Sequence, residues 1–260
     1  MVEIVSLLFL GAFSGFIAGL LGVGGGLIMV PALLYLLVDS VSQTVLMHTA
    51  VGTALAAIVF TSISSVRAHH QHGAIHWQYF KKLTPTILLG AFSGALLTKA
   101  MSFDFMRIFF ALFEFSVAII MYFGISSSSH VDSLSKWVWR ITGYVIGLVS
   151  AIVGIGGGTM TTPFLTYNNV NIKNAIATSA AVGMPIAIAG ALGFIVVGWD
   201  VQSASGGLGF IHTEALISIV VMSVLFAPLG AKVAHSVDGK KLKKFFALFL
   251  AFLGMAVLSF

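Results

Sequence analysis

The chain contains no cysteine. That excludes a disulfide framework, a thiolate nucleophile and a thiolate metal site. Charge is nearly as scarce. Asp, Glu, Lys and Arg make up 8% of the 260 residues, where soluble domains carry about 25%. A water-soluble fold cannot cover its surface with so few charges. Disorder is excluded as well, because 58% of the residues are hydrophobic and supply ample apolar surface to bury. Nucleotide loops are missing too. G-x-G-x-x-G would need glycine at 27 and 159, where Leu27 and Thr159 stand, and no lysine follows in P-loop spacing. There is no H-E-x-x-H and no nucleophile beside an obvious base. The chain reads as neither an enzyme nor an ATP-driven pump, and no cofactor or metal is expected.

An all-α polytopic membrane protein remains. Membrane strands would alternate apolar and polar residues. The runs 54–60 and 245–256 are instead continuously apolar and read as helices. The longer polar breaks are 67–82, 126–136, 200–212 and 235–244. The net charge of +5 resides in these short breaks. It therefore reads as membrane orientation rather than as nucleic-acid binding. The start, Met1-Val2-Glu3-Ile4, is acidic, so the first apolar run is expected to persist as a helix and not to be cleaved.

The sequence repeats itself. Gly22-Val23-Gly24-Gly25-Gly26 recurs as Gly154-Ile155-Gly156-Gly157-Gly158, and Pro31 and Pro163 follow at the same distance. Ala50-Val51-Gly52-Thr53-Ala54 matches Ala175-Ile176-Ala177-Thr178-Ser179. Phe109-Phe110-Ala111-Leu112-Phe113 returns identically at 245–249. Three matches in the same order divide the chain into repeats 1–128 and 129–260, with a linker at Ser126–His130.

Charge decides how the repeats are related. If the stretches 4–38 and 138–168 each cross once, the 13 Lys and Arg residues divide five to eight, which is no signal. If each stretch is a hairpin that returns to its own face, 11 of the 13 share one face and only Lys99 and Arg107 lie on the other. That bias fits the positive-inside rule. It makes the crossings per repeat odd, inverts the repeats, and puts both termini outside the cytoplasm. Each repeat is then a glycine-broken helical hairpin followed by three transmembrane helices.

The glycine clusters carry the chemistry. Backbone freed by a break cannot face lipid; it is buried in protein or lines a cavity. Twelve residues follow the first cluster before Asp39 and nine follow the second before Asn168. They would span at most ~20 Å, short of the ~30 Å hydrocarbon core. These segments read as half-helices whose N-termini begin inside the membrane. Such ends present unpaired N–H groups and partial positive charge to a small anion. Gly24, Gly25, Gly26, Gly156, Gly157 and Gly158 are therefore candidate substrate-binding residues. The alternative is close helix packing. Thr53, Thr178 and Ser179 lie at matching depths, where their hydroxyls would donate to anion oxygens or bond back to the preceding turn. Glu114 lies mid-run and is a candidate for proton coupling; its repeat counterpart is Leu250, and the alternative is a structural group that pairs with a buried cation or stays protonated. His69, His70, His72 and His76 read as a solvated cytoplasmic loop. His48 and Lys173 hold equivalent places near helix starts and would either attract anions at the two mouths or mark the interface. Trp77, Trp137, Trp139 and Trp199 fit an aromatic belt.

The run from Gly15 through Gly22-Val-Gly-Gly-Gly to Pro31, its second copy Gly154–Pro163, and the Ala-Val-Gly-Thr and Ala-Thr-Ser segments resemble the sulfite exporter TauE/SafE family. The resemblance covers essentially the whole chain. It implies a secondary transporter of the inner (cytoplasmic) membrane. The implied substrate is a small sulfur-containing anion: sulfite, thiosulfate, or an organosulfonate such as sulfoacetate. Export by alternating access is implied; an anion channel or a transporter of a different anion is the alternative. One departure is Ala54, where the family's first repeat often carries serine after threonine.

Overall fold

The computed structural model describes residues 2–123, 134–200, 207–234, 236 and 239–259, without the side chains of Val2, Met121 and 239–247. The expected linker 126–130 and the 128/129 boundary lie outside the described residues, as do the side chains of the basic cluster at 240–244. The described residues form an all-α fold of ten helices: α1 (Val2–Leu21), α2 (Gly26–Leu36), α3 (Gln43–Gln71), α4 (Trp77–Leu97), α5 (Phe103–Phe123), α6 (Lys136–Val153), α7 (Gly158–Tyr167), α8 (Ile172–Val197), α9 (Thr213–Ala234) and α10 (Gly239–Leu258). Six of the described helices are long and apolar enough to cross a bilayer. α2 and α7 are not. Their 11 and 10 residues reach only ~15–17 Å. α2 closes at Leu37, two residues ahead of Asp39, and α7 closes at Asn168, where the sequence places its end.

Large apolar side chains on the outer helix faces are exposed, among them Phe9 (73%), Leu89 (66%) and Ile217 (64%). In water such faces would aggregate; in lipid they meet their own kind. This is a multi-pass membrane protein.

The two halves of the helix order pack by exchange. Gly11 and Gly15 of α1 lie against the Ile219 and Ser223 backbone of α9. At the matching positions of the other half, Gly143 and Gly147 of α6 lie against Leu83 and Ile87 of α4. Glycine is used here for backbone approach, since any side chain would fall on the facing carbonyls. Gly230 against Phe16 and Gly94 against Leu148 complete the two seams. In both seams the residue numbers rise together, so α1 runs parallel to α9 and α4 to α6. The central pair α3 and α8 is antiparallel: Gly52 meets Phe194, whereas Gly190 meets Leu55 further along. α5 and α10 form the remaining pair.

Two surface readings change on folding. Trp139 is 3% exposed, stacks on Tyr79 at 5.5 Å and lies under the Lys82 ammonium, so it belongs to the core and not to an interfacial belt. The histidine loop is only partly solvated. α3 extends to Gln71 and carries His69 into the interior, where its Nε2 pairs with the Gly19 carbonyl at 3.1 Å, while His70 and His72 stay exposed.

Candidate functional site

The two glycine breaks meet. The Gly156 N–H donates to the Val23 carbonyl at 3.2 Å, tying one break to the other. A methyl group at Gly24 would lie 2.9 Å from the Gly156 Cα. A side chain at Gly26 would fall on the Gly154 carbonyl oxygen, and one at Gly158 on the Gly22 carbonyl oxygen. Gly25 and Gly157 cap the half-helices with φ of +80° and +74°, a left-handed conformation that L side chains adopt at a penalty. All six predicted glycines are thus brought to one crossing, buried in the protein.

Ile58 of α3 and Gly183 of α8 wall the crossing; the Ile58 Cγ2 lies against both Gly24 and Gly156. The first N–H groups of α2 and α7 have no acceptor within their own helices. Their positive ends converge here. No Lys or Arg is buried among the described residues, so an anion inside the protein would be attracted by backbone and hydroxyl dipoles.

The hydroxyls predicted as substrate ligands each accept a hydrogen bond from within the protein. Thr53 Oγ1 accepts the His212 N–H at 2.9 Å, and Thr178 Oγ1 accepts the His76 N–H at 2.9 Å. His212 precedes α9 and His76 precedes α4, so both threonines clamp a helix start in the same manner. Neither of the two uses expected for these hydroxyls includes this one. Ser179 Oγ accepts from Thr162 Oγ1 at 2.8 Å, within the α7–α8 contact. His48 and Lys173 also part company. His48 is 5% exposed, pairs through Nε2 with the Thr98 carbonyl and packs on Phe210, whereas Lys173 is exposed.

Glu114 lies between α5 and α10, away from the crossing. It is fully buried, the one buried carboxylate among the described residues, and neither carboxylate oxygen has a hydrogen-bond partner. A methyl group added at Gly254 of α10 would lie 3.5 Å from its Oε2.

Three hydroxyls that the sequence reading passed over do reach the crossing. Thr61, Ser62 and Ser65 of α3 line a narrow cleft with Ala18, Gly24 and Ala180. The signal was present as spacing: 61, 62, 65 and 69 fall on one helix face, and all four are buried polar residues.

Residues 7–257 match the family described as Sulfite exporter TauE/SafE. The chain belongs to the sulfite exporter TauE/SafE family. A probable membrane transporter protein of Haemophilus influenzae is 40% identical over 94% of this chain and 93% of its own length. Probable membrane transporter proteins of Bacillus subtilis and Methanocaldococcus jannaschii are 28% and 25% identical, over 94% and 97% of this chain and 96% and 94% of theirs. No solved structure matches. This TauE/SafE protein is accordingly a membrane transporter and not an enzyme.

Proposed function

We propose that the protein is a secondary transporter that exports a small sulfur-containing anion, such as sulfite, thiosulfate or sulfoacetate, across the cytoplasmic membrane. The observation that carries this reading is the meeting of two half-helix N-termini, backbone to backbone, in the protein interior. Oriented N–H groups at such ends favour negative charge without a buried cation. The six glycines bring that backbone within reach of the anion.

In this reading residues 1–128 and 129–260 are inverted repeats. The antiparallel run of α3 and α8 supports the inversion, because these helices hold equivalent places in the two halves. A transporter built this way alternates access by rocking one repeat against the other about the shared crossing. Glu114 is the candidate for proton coupling, since an unpartnered carboxyl among membrane helices is otherwise costly.

A thermal-shift screen of the purified protein against sulfite, sulfate, thiosulfate, sulfoacetate and chloride tests the substrate class. A bound anion raises apparent stability by mass action. Selective stabilisation by one sulfur anion is expected; equal or absent shifts for all five would overturn the reading. In proteoliposomes, saturable flux stimulated by anion on the far side distinguishes a transporter from a channel.

A further inference from the structure

We propose that Ser62 and Ser65 of α3, together with the Gly24 backbone, form a subsite for the oxygen atoms of the transported anion. The subsite lies beside the crossing on the side where α3 ends. It rests on the anion-transport reading above and adds the side chains that hold the substrate.

Ser65 provides the decisive observation. It is 2% exposed, its Oγ has no hydrogen-bond partner, and it lines the same cleft as Gly24. The usual fate of serine in a membrane helix is to bond back to the preceding turn. Thr61, one turn earlier, does so with the Ala57 carbonyl at 3.0 Å and also pairs with Ser223 Oγ at 2.8 Å. Thr61 therefore positions α3 against α9. Ser65 is left with an unused donor inside a cleft too narrow in this conformation to admit water. Alanine would fill that space without an orphaned hydroxyl, so packing alone gives no reason for serine here.

The chemistry fits an oxoanion. Sulfite and sulfonates present three oxygen acceptors around sulfur, and a hydroxyl donates to such an oxygen with a charge-assisted hydrogen bond. Gly24 adds backbone beside the N-terminus of α2. The second half places its unpartnered buried hydroxyls elsewhere, at Ser150 of α6 and Thr159 and Thr161 of α7, and not on α8. In the register that pairs Thr53 with Thr178, the positions of Thr61, Ser62 and Ser65 hold Ile186, Ala187 and Gly190. There Leu55 fills the space beside Gly190, whereas its own counterpart is the small Ala180 in the cleft wall. Along α8 the equivalent space is filled by hydrocarbon, whereas along α3 it is left narrow and lined by hydroxyls.

The test uses the full chain in lipid nanodiscs, with sulfite as probe. Calorimetry reads Kd, and the melting temperature without ligand is recorded on the same samples. Ser65→Ala and Ser62→Ala are each expected to weaken sulfite binding roughly tenfold, with the ligand-free melting temperature of Ser65→Ala unchanged or raised. Ala180→Leu, which copies the Leu55 side, is expected to abolish binding. Ser116→Ala, on the exposed face of α5, is expected to behave as wild type. Wild-type Kd in both serine variants would overturn the subsite while leaving the transport reading intact. A melting temperature that falls in step with affinity would assign the serines to structure and overturn it equally. Wild-type protein that binds none of sulfite, thiosulfate or sulfoacetate would remove the transport reading and the subsite together.

Discussion

The second stretches of α3 and α8 run past the same glycine crossing in opposite directions, yet they present different chemistry. α3 continues with Thr61, Ser62, Ser65 and His69, all buried. α8 continues at the equivalent positions with Ile186, Ala187, Gly190 and Phe194. Phe194 is fully buried and meets Phe210 edge to face, and Phe210 in turn packs on His48. One end of the central helix pair is closed by aromatic rings, and the other carries a path of hydroxyls ending at an imidazole. The backbone frame is repeated, seam for seam, while the side chains that fill it are not. If the halves are inverted repeats, as proposed, duplication would account for the scaffold, and divergence of the filling for a site on one side of it.

The largest expected effect tests the repeated frame itself. Gly26→Val and Gly158→Val each drive a branched side chain onto a carbonyl of the other break, at Gly154 and Gly22 respectively. Backbone cannot step aside as a side chain can, so each change should cost roughly 3 kcal/mol or more and sharply reduce monodisperse protein on size exclusion. Equal losses are expected in the two halves. If one variant folded normally, the crossing would not be symmetric in its demands.

How much of this was legible in the sequence follows from the kind of signal each feature leaves. The helices and both breaks were readable because hydropathy and glycine act on the backbone locally. The repeat was readable because Gly22–Gly26 and Gly154–Gly158 are nearly identical. That the two breaks bond to each other, Gly156 to Val23, was not readable, since nothing in either copy names its partner. Thr53 and Thr178 were singled out as a pair, but their partners are N–H groups 159 and 102 residues away in the chain. Ser62 and Ser65 were overlooked because most serines in membrane helices satisfy themselves, and only burial shows that Ser65 does not. Trp139 was misplaced for a related reason: a tryptophan at a helix start reads as interfacial until Tyr79 and Lys82 are seen to cover it.

A smaller effect, again symmetric, is expected from the threonine clamps. Thr53→Val leaves the His212 N–H, and Thr178→Val the His76 N–H, without its acceptor. Each should cost about 1–3 kcal/mol, seen as a similar drop in melting temperature in both variants. Sulfite affinity of the folded fraction should persist. A loss of binding at constant stability would return these hydroxyls to the substrate site.

Glu114 breaks the symmetry in the other direction, because its counterpart Leu250 is apolar. Glu114→Gln keeps the shape and removes the exchangeable charge. Sulfite binding should stay within about twofold of wild type, well under 1.4 kcal/mol, while stimulation of flux by a pH gradient disappears. Unchanged proton dependence would leave Glu114 a structural group between α5 and α10.

The smallest effect on the molecule is also the sharpest test of how its halves are related. Single cysteines can be placed freely because the chain has none. Ser259→Cys follows the end of α10 and Gln71→Cys ends α3; both positions are exposed, so neither change should alter transport. If the repeats are inverted and the basic loops face the cytoplasm, a membrane-impermeant maleimide should label Ser259→Cys only from outside the cell. It should label Gln71→Cys only after the cytoplasmic face is opened. The α3 end would then lie on the cytoplasmic side, and the hydroxyl path along Ser62, Ser65 and His69 would lead from that side to the crossing. The aromatic closure at Phe194 and Phe210 would face outward. Labelling of both cysteines from the same side would make the crossings between them even in number, contrary to an odd count per repeat, and the asymmetry between α3 and α8 could no longer be read as an inward-leading path opposite an outward seal.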